Sequence, residues 1–271
     1  MKGSSKKIVL AIFGLLVIAA CKTQLPAPQQ KYPVDKFQSR EARIGGETFR
    51  YRVYVPQELS EKSAPAVLLY LHGAGNRGTD NDSQLNGLAK QIEAKKDKIN
   101  FIIVIPQCLP DGFWDEQMLA RADKAMNDTV EEFKADGHRL YLAGFSLGGY
   151  GVWSMAATHP GKFAAIVPMS GRVLPRPNEI KHVSKDIAQM SETADPYRAF
   201  AEKIGNTPTW IFHGADDNVV APENSRRMFA AMKAAGNQQL TFEETPGKGH
   251  EPLAFAAPGF FEWLTAQSLD R

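Results

Sequence analysis

Hydrophobic and polar positions along the chain fall into two kinds of pattern. Across 37–55 they alternate, in two runs flanking Gly45-Gly46, with Phe49, Tyr51, Val53 and Val55 on one face. Period-two alternation on either side of a glycine pair predicts an antiparallel hairpin with one buried face. Further along, alternation gives way to short continuous apolar runs at 66–71, 101–105, 140–142, 163–167, 209–212 and, more weakly, 240–242. Strands covered on both faces read this way. Helical spacing fills the intervals at roughly 83–95, 119–135, 149–158, 222–235 and 260–267. Strands and helices in alternation predict an α/β fold: a mostly parallel sheet with helices on both faces and the antiparallel hairpin at its N-terminal end. The stretch 171–206 fits neither pattern. It is long, polar and carries Pro175 and Pro177, so an irregular segment able to cap a site is expected there.

The first 36 residues stand apart. Lys2, Lys6 and Lys7 precede an apolar run over 8–20, too short to span a hydrocarbon core about 30 Å thick. The run ends in Ile18-Ala19-Ala20-Cys21. This resembles the bacterial lipobox, which implies cleavage before Cys21, acylation of that cysteine and a membrane lipoprotein of the cell envelope. Several acyl chains make such an anchor stable, each buried methylene contributing about 0.8 kcal/mol. An ordinary secretory signal with a chance cysteine is the alternative. Lys22 follows the cysteine where aspartate is absent, which resembles outer-membrane sorting in bacteria with two membranes. Residues 22–36 carry Pro26, Pro28 and Pro33 and read as a tether. The expected division is a signal peptide over 1–20, a tether over 21–36 and one folded domain over 37–271.

Composition narrows the function classes. A chain of 271 residues with 43% hydrophobic and 23% charged residues is neither disordered, collagen-like nor a multi-span membrane protein. The formal charge is +2, but residues 1–20 hold three lysines and no acid, so the remainder is −1. No basic field is left to attract nucleic acid. Two cysteines, Cys21 and Cys108, exclude a disulfide scaffold. Cys108 is expected as a small buried residue after a strand.

Chemistry concentrates at Gly144-Phe145-Ser146-Leu147-Gly148-Gly149. This is G-x-S-x-G directly after a strand and directly before a helix, the context in which that motif presents a nucleophilic serine. Side chains two residues either side of so sharp a turn would collide, and the helix N-terminus leaves backbone N–H groups free to meet negative charge. The alternative is a chance glycine-rich turn. A nucleophilic serine needs a base, and the base an orienting acid. Downstream lie His159, His182, His213 and His250. His159 precedes Pro160 at a helix end, His182 is in the irregular stretch and His213 closes a strand. His250, in Gly247-Lys248-Gly249-His250, sits on a flexible loop able to deliver an imidazole to the strands' C-terminal edge, and is the expected base. A solvated loop histidine is the bland reading.

These residues resemble the α/β-hydrolase superfamily over about 45–268. The bacterial branch that includes feruloyl and acetylxylan esterases and polyhydroxybutyrate depolymerases is the most similar. The resemblance rests on Leu71-His72-Gly73-Ala74-Gly75, the Gly144-to-Tyr150 elbow, Phe163-Ala164-Ala165, the stretch from His213 to Val220, the Gly247-to-His250 loop, and Trp263 in the last helix. It implies an α/β-hydrolase fold and a serine carboxylic-ester hydrolase. It also implies that Asp217, the aspartate of H-G-x-x-D, is the triad acid; the adjacent Asp216 is the alternative.

Gly73-Ala74-Gly75-Asn76-Arg77-Gly78 also fits the dinucleotide fingerprint G-x-G-x-x-G. No helix begins at its third glycine, however, and the next strand ends in Ile105-Pro106-Gln107 without the acid that holds a ribose. An oxyanion hole from the backbone N–H groups of Ala74 and Leu147 is the better reading, with His72 propping the turn. Trp114 is a candidate flat face for a sugar or aromatic acyl group, with core packing as its alternative. No metal-ligand spacing is present and no cofactor is expected. The expected substrate is a small or carbohydrate-linked ester. The rivals are a serine peptidase of the prolyl-oligopeptidase type, a lysophospholipase or thioesterase, and a non-catalytic binding lipoprotein.

Overall fold

The computed structural model describes residues 37–57, 59 and 63–270. Cys21, the apolar run before it and the tether lie outside the described residues. The alternating runs form β1 (Phe37–Ile44) and β2 (Glu47–Tyr54), paired antiparallel through Gly45 and Gly46. Both glycines have positive φ, +58° and +86°, as a two-residue turn matched to strand twist requires. The apolar runs form β3 (Val67–Leu71), β4 (Ile102–Pro106), β5 (Leu140–Phe145), β6 (Ala165–Met169), β7 (Thr209–Gly214) and β8 (Leu240–Thr245). The sheet order is β1-β2-β4-β3-β5-β6-β7-β8. β2 joins β4 antiparallel, and β3 to β8 are parallel throughout.

Helices α1 (Leu88–Lys95) and α7 (Phe260–Thr265) cover one face. The other is covered by α2 (Glu116–Phe133), α3 (Leu147–Thr158), α4 (Lys185–Ser191), α5 (Pro196–Ile204) and α6 (Glu223–Ala234). Successive residues of β3 divide between the layers: Val67, Leu69 and Leu71 enter one, Leu68 and Tyr70 the other. This is why the central strands read as unbroken apolar runs.

Two expected elements differ. The helix expected over 83–95 is a short 3-10 turn, Ser83–Leu85, followed by α1, because Gly87 between them takes φ +81° and breaks the helical path. The stretch 171–206 is not irregular throughout. Ser184 accepts from the Ile187 N–H and starts α4; Asp195 accepts from the Arg198 N–H and starts α5, with Pro196 in its first turn. Both are ordinary N-terminal signals. Ile187, Met190, Phe200 and Ile204 enter the core, so this half of the segment is packed structure. In the other half Arg172 pairs with Glu179 at 2.7 Å.

The strand order locates the site. From β3 the chain crosses to β4 on one side and returns to β5 on the other. The connections after β3 and β5 therefore diverge and leave a crevice beyond their C-terminal ends, the usual ligand position in open α/β sheets. Leu71 and Phe145 end those strands.

Candidate active site

β5 hands over to α3 at Ser146, which sits at φ +56°, ψ −113°. Holding a residue with a side chain there costs on the order of 1–3 kcal/mol. The glycines are needed because the backbones nearly touch. A Cβ on Gly148 would lie 1.8 Å from the Leu71 carbonyl oxygen, and one on Gly144 would lie 2.4 Å from that of Gly148. The Ser146 N–H donates to the Met169 carbonyl at 2.8 Å, and the Ser146 carbonyl accepts from the Tyr150 N–H at 3.1 Å. The elbow is thus fixed from both sides.

His250 arrives on the loop after β8. Its Nε2 is 2.8 Å from Ser146 Oγ and its Nδ1 is 2.7 Å from Asp217 Oδ2. The Phe145 ring packs on the imidazole, centroids 4.8 Å apart. Asp217 is buried, and its Oδ1 accepts from the N–H groups of Val219 and Val220, both at 2.9 Å. Burial pushes this carboxyl up, but the hydrogen bonds from His250, Val220 and Val219 outweigh it and hold it below the usual carboxylate range. Asp217 is the aspartate brought to His250; Asp216 is exposed.

Sequence reasoning missed a second histidine on the same carboxylate. His213 Nε2 lies 3.3 Å from Asp217 Oδ2 and 2.9 Å from the Val220 carbonyl, and Nδ1 is 2.7 Å from Ser225 Oγ. The carbonyl requires a proton on Nε2, so Nδ1 accepts from the serine. Burial pushes this imidazole down, so it is a neutral donor. The spacing of four between His213 and Asp217 was the available signal.

Ala74 and Leu147 each begin a turn, the first a short 3-10 segment, the second α3. Neither N–H has a preceding turn to bond to, and both belong to the crevice between β3 and β5. His72 braces the first of them. Its Nδ1 donates to the Gly73 carbonyl at 2.8 Å, while Nε2 accepts from the Cys108 N–H at 2.9 Å. Burial pushes its pKa down to about 4. Cys108 is buried and unpaired, its thiol pushed up to about 12 by burial, so it is inert.

Trp114 needs correcting. It is 1% exposed, its Nε1 donates to the His72 carbonyl at 3.0 Å, and its ring meets the His72 ring edge-on. It supports the turn from behind and offers the site no open face. His159 closes α3, with Nδ1 3.2 Å from the Met155 carbonyl, and His182 ends a 3-10 turn. A groove of about 420 Å³ between α2, α3 and the start of α4 is lined by none of Ser146, Asp217 or His250. A smaller cavity of about 170 Å³ has Gly73 and Phe145 in its lining and likewise none of these three residues. Among the described residues no three His, Cys, Asp or Glu side chains gather as metal ligands.

A strained serine at the strand–helix elbow, bonded through one imidazole to a buried carboxylate, defines the serine type of α/β hydrolase. The chain belongs to the prolyl oligopeptidase family, whose model matches residues 122–260. It is similar to feruloyl esterase B of Neurospora crassa, 28% identical over 207 residues, covering 64% of this chain and 65% of that protein. Feruloyl esterase B of Thermothelomyces thermophilus is 24% identical, covering 87% and 84%. The crystal structure of a thermostable esterase matches with a TM-score of 0.68 at 25% identity, covering 86% of this chain and 64% of that one. The chain therefore spans just under two thirds of the Neurospora protein and of the thermostable esterase.

Proposed function

We propose that this protein is a serine ester hydrolase working through an acyl-enzyme. The observation that carries the reading is the unbroken relay of 2.8 Å and 2.7 Å from Ser146 through His250 to Asp217. Ser146 Oγ attacks an acyl carbonyl as His250 Nε2 takes its proton. The N–H groups of Ala74 and Leu147 donate to the oxyanion, each such donor typically contributing about 2.7–4 kcal/mol at the transition state. The imidazolium returns the proton to the departing alcohol. Water then enters on the same base and releases the acid. Asp217 holds the imidazole with its proton on Nδ1 and stabilises its charge.

The substrate we infer is a small ester on a polar, carbohydrate-like alcohol, in keeping with relatives named feruloyl and acetylxylan esterases. The place of action we infer is the bacterial envelope, through a lipid on Cys21. The family's description favours one second reading, cleavage of peptide bonds.

A fluorophosphonate probe should label the protein and fail to label Ser146→Ala. kcat/KM should then be compared across acetyl, butyryl and octanoyl esters of simple and sugar alcohols, and across peptide anilides. A preference for short acyl groups with a gain from a sugar alcohol is expected. Preference for octanoyl esters, or anilide cleavage above ester cleavage, overturns the substrate reading; an unlabelled Ser146 overturns the mechanism.

A further inference from the structure

The turn that carries the triad acid has little apolar packing to hold it. It leaves β7 at Gly214, and Asp216, Asn218 and Val219 are all exposed on it. Its first half is tied to the strand and loop that deliver His250. The Ala215 N–H donates to the Thr245 carbonyl at 3.0 Å, and the Asp216 N–H to the Lys248 carbonyl at 2.9 Å. Its second half has a different anchor. The Val220 carbonyl accepts from His213 Nε2 at 2.9 Å, while the Val220 N–H donates to Asp217 Oδ1 at the same distance. Val220 is therefore held at both of its backbone groups, and one of those holds is the acid itself.

His213 is built to stay where it is. It is 0% exposed, so it does not meet substrate. Burial lowers its pKa and keeps the ring neutral near pH 7, with its one proton on Nε2. Behind it, Ser225 is buried in the first turn of α6 and donates to Nδ1 at 2.7 Å. The ring cannot flip about its Cβ–Cγ bond without losing Ser225 and the Val220 carbonyl together. The same Nε2 lies 3.3 Å from Asp217 Oδ2, the oxygen that His250 Nδ1 uses. One connected path thus runs from α6 to the nucleophile, through Ser225, His213, Val220, Asp217 and His250 to Ser146.

We propose that His213, locked by Ser225, is a positioning residue for the reaction: it closes the turn that carries Asp217 and so fixes the carboxylate against His250. The inference rests on the ester-hydrolase reading and deepens it with a second imidazole that acts only through the acid.

The rate of labelling by a fluorophosphonate probe, taken per folded protein, reads the activation of Ser146 with no ester present. Misplacement by about 1 Å can cost on the order of 10²-fold, so His213→Leu should be labelled at least about tenfold more slowly than the unaltered protein. His213→Gln, whose amide N–H can reach the Val220 carbonyl, should stay within about threefold, and Ser225→Ala should fall between the two. On an acetate ester the His213→Leu loss should fall on kcat, with KM within about threefold, because no substrate contact is removed. The deshielded Nδ1 proton of His250 in the proton NMR spectrum should move upfield in His213→Leu and return in His213→Gln. A purely structural role would lower stability and leave that resonance in place. Labelling of folded His213→Leu at the unaltered rate overturns the inference, as does His213→Gln no faster than His213→Leu. If His213→Leu does not fold, Ser225→Ala decides, and the unaltered rate there overturns it. If the unaltered protein is labelled but turns over no ester, the ester reading falls and the labelling rates still judge His213. If it is not labelled, the mechanism falls and the Nδ1 resonance decides: one unmoved in folded His213→Leu, or in Ser225→Ala should that variant not fold, overturns the inference.

Discussion

Lowering the pH should loosen this protein through His72 before it reaches the carboxylates. The imidazole is sealed between two backbone groups, donating from Nδ1 to the Gly73 carbonyl and accepting at Nε2 from the Cys108 N–H. A second proton would set two donors face to face in a buried place. Burial accordingly pushes the pKa from 6.5 to about 4. The unfolded chain takes up this proton below pH 6.5 and the folded chain does not until about pH 4, so stability falls with pH across that window. The full difference corresponds to about 3 kcal/mol, of which about 2 kcal/mol is lost between pH 7 and pH 5. His213, also pushed down by burial, adds loss of the same sign. His72→Gln keeps a donor and an acceptor but cannot titrate, and the His213 contribution is common to both proteins. Urea unfolding of each at the two pH values isolates His72. The unaltered protein should lose about 0.7 M more in midpoint than the variant, for a slope of about 3 kcal/mol/M. Parallel losses would refute the argument that His72 is held neutral by its surroundings.

Much of this site was legible because each part answers a local physical demand. The elbow glycines follow from backbone contact at Gly144 and Gly148, and continuous apolar runs follow from strands covered on both faces. His250 was legible from its loop, while the choice of Asp217 over Asp216 came with family resemblance. The geometry adds its reason: Asp217 turns inward to collect the Val219 and Val220 N–H groups. What escaped depends on contacts distant in sequence. Trp114 reads as an aromatic on a loop, and only the approach of His72 makes it a brace. Helices α4 and α5 carry clear starts at Ser184 and Asp195-Pro196, but the polar residues around them masked short amphipathic faces. Gln84 looks like any exposed residue of a helix until Gly87 breaks that helix and turns it inward.

Two further perturbations test the anchor and the acid. Cys21→Ser should leave the protein soluble or unprocessed when membranes are fractionated, and a variant still mature and membrane-bound would end the lipoprotein proposal. Asp217→Asn should lower kcat by about 10⁴, as the loss of a triad carboxylate does elsewhere, and Asp216→Asn should stay within about threefold. The difference follows from where each oxygen goes. In Asp217→Asn the amide oxygen must keep the Val219 and Val220 N–H groups, so its NH₂ is turned toward His250 Nδ1 and His213 Nε2. His213 cannot yield, because its Nε2 proton is committed to the Val220 carbonyl. His250 must then carry its proton on Nε2, facing Ser146, where it cannot accept the serine proton. Steady-state rates on acetate esters read this directly; equal losses at 216 and 217 would show that the carboxylate does not set the tautomer of His250.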